Sequence, residues 1–108
     1  MLQNLTVVDK ANILEEAKGL KKKGYRLASM TCEKEGENLE ITYHFDLNYE
    51  MLNLRIVVDK NDTVDSISPV YTAAFLAENE IQDLFGITFS GIIIDYKGRL
   101  YLSEDAPK

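Results

Sequence analysis

Residues 39–58 carry an alternation that leaves little choice of local structure. Leu39, Ile41, Tyr43, Phe45 and Leu47 are separated by Glu40, Thr42, His44 and Asp46. After a break near 48–50, Leu52, Leu54, Ile56 and Val58 resume the same spacing. A period of two sends successive side chains to opposite faces of a pleated strand. Glu35-Gly36-Glu37-Asn38 reads as the turn before the first run, and Lys60-Asn61-Asp62 as the turn after the second. With residues 25–32 as a preceding strand, three sequential strands and close turns make an antiparallel meander. One face of that sheet is apolar and has to be covered.

Two amphipathic stretches can cover it. Asp9 is placed to cap a helix over 10–23 with the stripe Ile13, Leu14, Ala17 and Leu20. Lys21, Lys22 and Lys23 fall in its last turn, where positive charge complements the helix dipole, and Gly24 closes it. The lysine triplet reads as a solvated turn or as a dock for an acidic partner. The second helix lies within 71–91. Thr72 is the expected N-cap, with Tyr71 and Leu76 as a hydrophobic staple. Gly86 stands where a left-handed residue ends a helix, and Ile87 can fold back on Ile81. At about 100° per residue, Ala73, Ala74, Ala77, Ile81, Leu84 and Phe85 fall on one side. Glu78, Asn79, Gln82 and Asp83 fall on the other, with Glu80 at the border and Phe75 among the polar residues. Leu5 to Val8 reads as an edge strand, and Ile87 and Phe89 begin a short one. Ile92, Ile93 and Ile94, a turn at 95–98 and Arg99 to Leu102 read as a hairpin before a polar tail. The expected fold is α+β: an antiparallel sheet, meander plus C-terminal hairpin, covered by two helices in two layers. A single domain over 1–108 is expected.

Composition narrows the function classes. Hydrophobic residues at 45% and charged residues at 28% fit a globule, and the net charge of -6 disfavours nucleic acid or anionic lipid as partners. The one cysteine, Cys32, permits no internal disulfide and no thiolate cluster. It is expected as a small half-buried strand residue. His44 is the one histidine and is expected on the polar strand surface. No phosphate loop, nucleophile elbow or His–Cys pairing is present, so no catalytic residue, cofactor or metal site is expected. No apolar signal core or membrane-length run occurs. A cytoplasmic chain that reaches the membrane only through partners is expected. Glu78, Glu80 and Asp83 form the notable acidic group. They read as a solvated helix face, as a partner-facing patch, or as an acid/base pair at Glu80 and Asp83. Phe75 reads either as an interface anchor or as local core under the 70–71 loop.

The string Glu78-Asn79-Glu80-Ile81-Gln82-Asp83-Leu84-Phe85-Gly86-Ile87-Thr88-Phe89-Ser90-Gly91 resembles the signature of the thirty-kilodalton-subunit family of respiratory complex I, the C subunit of NADH-quinone oxidoreductase. That signature runs Glu-Arg-Glu, two free positions, Asp-Leu, an aromatic, Gly-Ile, a free position, Phe, a free position, Gly-His-Pro. The chain matches at Glu78, Glu80, Asp83, Leu84, Phe85, Gly86, Ile87, Phe89 and Gly91. It departs at Asn79 and at Ile92 and Ile93. The absent His-Pro and the short tail make it most similar to the short subunit of energy-converting, membrane-bound nickel–iron hydrogenases. The resemblance implies a cofactor-free, non-catalytic subunit in the cytoplasmic peripheral arm of a redox complex. It implies docking on the hydrogenase-large-subunit-like subunit beside an iron–sulfur subunit. Phe75, Glu78, Asn79, Glu80 and Asp83 are the expected partner-binding residues. The rival readings are a stand-alone small-molecule-binding α+β domain and a small enzyme working at Glu80.

Overall fold

The computed structural model describes residues 4–92; the hairpin expected after Ile92 and the polar tail lie outside the described residues. In chain order the elements are β1 (Leu5–Val7), a 3-10 turn (Lys10–Asn12), α1 (Ile13–Lys23), β2 (Arg26–Glu35), β3 (Asn38–Leu47), β4 (Glu50–Asp59), β5 (Thr63–Asp65), α2 (Ala74–Phe85) and β6 (Thr88–Ser90).

The expected meander is present. β2, β3 and β4 are sequential antiparallel neighbours in a sheet of order β1-β4-β3-β2. β1 joins the far edge parallel to β4. Tyr43 stands opposite Met30 on one side and Leu54 on the other. Between β3 and β4 the chain reverses through Asn48 and Tyr49, both at positive φ (52° and 72°). That turn twists the way paired strands do. Leu39, Ile41, Tyr43, Phe45, Leu54, Ile56 and Val58 are buried in one cluster with Ile13, Ala17 and Leu20 of α1 and Ala74 and Ile81 of α2. The alternation therefore marks both the strands and the covered face.

Three local expectations are corrected. Asp9 does accept from the Ala11 amide at 3.0 Å, but it starts the 3-10 turn, and α1 begins only at Ile13. α2 begins one position later than Thr72 implies; its N-cap is Ala73, without a side-chain bond. The Ala74 amide is held by the Tyr71 carbonyl and the Phe75 amide by the Thr72 carbonyl, so backbone turns replace the cap. The Tyr71–Leu76 staple does not form: Leu76 is exposed, while Tyr71 packs on Phe45 at 5.4 Å between ring centroids. Both helix exits behave as expected, with Gly24 at φ 96° and Gly86 at φ 80°.

A feature absent from the expectations is a second, two-stranded sheet. β5 pairs in parallel with β6, aligning Val64 with Phe89, and α2 is the crossover between them. The strand start at Ile87 and Phe89 was legible, but β5 was not, and three residues carry too little periodicity to reveal which strands pair. Among the described residues no helix is long and apolar enough to cross a membrane.

Candidate functional site

The signature helix α2 is anchored from beneath by a buried acid. Glu78 is 0% exposed. One carboxylate oxygen accepts from the Ser66 hydroxyl at 2.6 Å and the other from the Ile67 amide at 2.9 Å. Ser66 also meets Ser68, hydroxyl to hydroxyl at 2.7 Å, and accepts from the Ser68 amide at 3.0 Å. The loop from β5 to α2 thus has its polar groups satisfied by a carboxylate in an otherwise apolar layer, as burial requires. Burial pushes the Glu78 carboxyl up to about 7, while its bonds to Ser66 and Ile67 pull the other way. The buried Tyr43 hydroxyl has no hydrogen-bond partner among the described residues. Burial, and then the charge of Glu78, hold its proton on.

The rest of the helix is tied in the same manner. Asn79, 2% exposed, donates its side-chain amide to the Phe75 carbonyl at 2.7 Å. Gln82 accepts from the Phe89 amide at 2.8 Å and so joins α2 to β6. Ile87 and Phe89 are core residues, and Phe85 packs against that core. Gly86 and Gly91 both take φ near 80°.

These contacts correct the sequence reading of the helix faces. The inward stripe is Ala74, Glu78 and Ile81, with Asn79 buried at its flank. The outward side carries Ala73, Leu76, Glu80, Asp83 and Leu84, of which Leu76 is 49% and Leu84 is 65% exposed. Of the five expected partner-binding residues, Glu80 and Asp83 are exposed, Phe75 is half-buried, and Glu78 and Asn79 lie inside the fold. Burial removes those two from any surface stripe. The amphipathic pattern misplaced them because it assumes that a carboxylate seeks water, whereas Glu78 answers donors in the 66–68 loop. Ser66 and Ser68, spaced by two before a proline, were the available hint.

Beside the outward side of α2 runs a groove of about 500 Å³, lined by Leu27, Ala28, Ser29 and Met30 of β2 and by Ala73, Leu76, Ala77 and Glu80. The opposite face of the main sheet is mostly polar, with Val7, Met51 and Val57 exposed among the polar residues. His44 is half-buried rather than free on that surface. Its Nδ1 lies 2.7 Å from the Asn53 side-chain oxygen and its Nε2 3.3 Å from the Thr31 hydroxyl. A proton on Nδ1 is donated to Asn53, and Nε2 then accepts from Thr31. Arg55 donates to Thr42 at 3.0 Å and lies 3.7 Å from Glu40. Cys32 is half-buried as expected, and burial followed by the nearby Glu33 pushes its thiol up to about 11. It is therefore protonated at neutral pH and a poor nucleophile. Among the described residues no three His, Cys, Asp or Glu side chains are grouped to hold a metal ion.

Comparison with known proteins adds three findings. The family model described as respiratory-chain NADH dehydrogenase, 30 Kd subunit, matches residues 6–107. The C subunit of NADH-quinone oxidoreductase from Ruegeria pomeroyi is 34% identical over a 90-residue alignment that covers 75% of this chain and 45% of that protein. Its counterpart from a Jannaschia species is 39% identical over 77 residues, covering 63% of this chain and 37% of that protein. The chain thus spans less than half the length of these relatives. The membrane-bound sulfane sulfur reductase, an archaeal respiratory membrane complex, contains a chain that superposes with a TM-score of 0.64 at 18% identity. The superposition covers 81% of this chain and 56% of that one, and it shows a shared fold.

Proposed function

Since this chain belongs to the respiratory-chain NADH dehydrogenase 30 Kd subunit family, we propose that it is a non-catalytic subunit of a membrane-associated redox complex. In this reading it sits in the cytoplasmic peripheral arm of an energy-converting hydrogenase or a quinone reductase. It docks on the hydrogenase-large-subunit-like subunit and lies beside an iron–sulfur subunit. The electron carriers reside in those neighbours.

The observation that carries this reading is the outward side of α2. Leu76 and Leu84, two large apolar side chains, are exposed next to Glu80 and Asp83 on the helix that bears the family signature. Apolar anchors rimmed by charge are the usual anatomy of a specific protein interface. Phe75 is half-buried at the helix start. Glu78 and Asn79 act from below by fixing the helix to its loop. The groove beside α2 is a feature that a stand-alone small-molecule site would use. Its lining is chiefly aliphatic, with Ser29 and Glu80 as its polar side chains, and it is an open groove rather than a cleft that would enclose a small ligand.

Purification of the tagged chain from solubilised membranes of its native host tests the proposal. The expected result is co-elution of the large subunit and an iron–sulfur subunit, with redox turnover in the complex and none in the isolated chain. Elution of the chain alone, with a complete and active complex in other fractions, would overturn it.

A further inference from the structure

The hairpin between β3 and β4 carries a side chain that the fold itself does not use. Leu47 and Glu50 stand opposite one another across the two-residue turn Asn48-Tyr49, and both turn residues have positive φ, 52° and 72°. Asn suits the first of these positions. The second is one that glycine fills by preference, because a β-carbon is strained there. Tyr49 occupies it with a side chain that is 103% exposed. Among the described residues its ring has no hydrogen bond, ring contact or cation on it. Backbone strain with no contact inside the fold to offset it points to a contact outside. The last turn of α1 lies at the same end of the fold: a β-carbon built on Gly24 would be 3.6 Å from the Leu47 side chain. There Lys21 stands over the Tyr71 ring at 5.2 Å. Lys22 and Lys23 are exposed and form no ion pair among the described residues. Arg26, at the start of β2, is neutralised by Asp46, and Glu50 is the exposed acid of the hairpin tip.

We infer that Tyr49 anchors a second docking surface, and that it enters a pocket of a partner protein whose rim carries carboxylates for Lys22 and Lys23. In needing a protein partner the inference rests on the subunit reading above, but it uses none of the residues on the outward side of α2. Tyrosine is a frequent interface anchor, because it buries a large rigid surface and can bond through its hydroxyl. A two-residue tip presents a single ring, and a single ring fits a concavity. Charge selects the occupant. Two uncompensated lysines in a chain of net charge -6 are a local exception that attracts a partner's carboxylates. A uniformly anionic bilayer would also meet Glu50 and that net charge. A protein surface can set its carboxylates against the lysines alone.

Nitration of tyrosines by tetranitromethane, located by mass spectrometry in the purified chain and in the assembled complex, tests this. Tyr49 should react readily in the chain alone and on the order of tenfold more slowly in the complex, because interface anchors are shielded from water. Tyr49→Gly suits the turn, so its melting temperature should be unchanged or higher. Its recovery of the complex should nevertheless fall by about tenfold, and Tyr49→Phe should restore most of that loss. Lys22→Gln with Lys23→Gln should lower recovery, as raised salt does for the unaltered chain. Should a variant fail to fold, nitration of the unaltered protein decides alone. Equal nitration of Tyr49 in a complex that retains the chain overturns the inference and leaves the subunit reading standing, as does full recovery with Tyr49→Gly. Recovery indifferent to both lysines and to salt overturns it as well. Protection of the isolated chain by phosphatidylglycerol vesicles assigns the tip to a bilayer, and protection that grows with chain concentration assigns it to a second copy. Slow nitration of the dilute chain assigns it to residues beyond 92. Each of these three overturns the inference. Failure to retain any partner overturns both readings.

Discussion

Glu78 is one of the groups through which this domain responds to pH. Its carboxyl titrates near 7 in the fold against an ordinary value of 4.5, so the native state holds the proton more tightly than the unfolded chain. Its favourable contribution is complete below about 4.5 and is lost as pH rises through about 7. Melting curves should therefore show stability falling across that window, by on the order of 3 kcal/mol in total. Asp46 and Asp62 act in the opposite sense at lower pH, because hydrogen bonds from Arg26 and Lys10 hold their carboxyls below the usual range. Glu78→Gln keeps an acceptor for the Ile67 amide and should flatten only the window between 4.5 and 7. An unaltered pH profile in that variant would show that another group is responsible. Tyr43 makes a second test of the same buried layer. Its hydroxyl is buried without a partner among the described residues, so Tyr43→Phe should leave stability unchanged or raise it by about 1 kcal/mol. A drop in melting temperature would reveal a partner for that hydroxyl.

The elements differ in how plainly the sequence declares them, and the difference is physical. β3 and β4 are legible because apolar core residues alternate with a mostly polar set along ten residues, although Thr42 and Asn53 in that polar set are buried and Met51 and Val57 on the same face are exposed. α1 and its exit at Gly24 are legible for the same reason, and the glycine at 86 marks the end of α2 correctly. The rotation of α2 about its own axis was not legible. It depends on the donors of a loop twelve residues away from Glu78, and no periodicity encodes that distance. β5 and β6 were hidden or half-hidden because each is three residues long. The two glycines at 19 and 86 separate backbone strain from crowding. Neither has an atom within 4 Å of a β-carbon added to it, yet only Gly86 lies at positive φ. Gly86→Ala should therefore destabilise the fold by about 1 kcal/mol, and Gly86→Val by more. Gly19→Ala, inside α1, should stabilise it by roughly 0.5–1 kcal/mol. Opposite signs in chemical denaturation confirm the two helix geometries; equal signs contradict them.

At the scale of the whole molecule, a covered apolar face, a mostly polar sheet face and an exposed helix side divide the labour. The sheet and α1 supply most of the buried core. α2 closes that core with Glu78 and leaves Leu76 and Leu84 on its far side. The sequence located this helix and its family signature, but it put Leu84 inward and Glu78 outward. The docking residues now proposed on this helix are therefore Leu76, Glu80, Asp83 and Leu84. Leu76 and Leu84 are exposed enough that replacing them should change the stability of the isolated chain by no more than about 0.5 kcal/mol each. As interface anchors, together they should weaken assembly by on the order of 2 kcal/mol or more. The decisive measurement is co-purification of the large subunit with the double variant Leu76→Glu, Leu84→Glu, read alongside its melting temperature. A well-folded variant that loses the large subunit is the expected result. A well-folded variant that recovers the large subunit as fully as the unaltered chain would contradict docking through this helix.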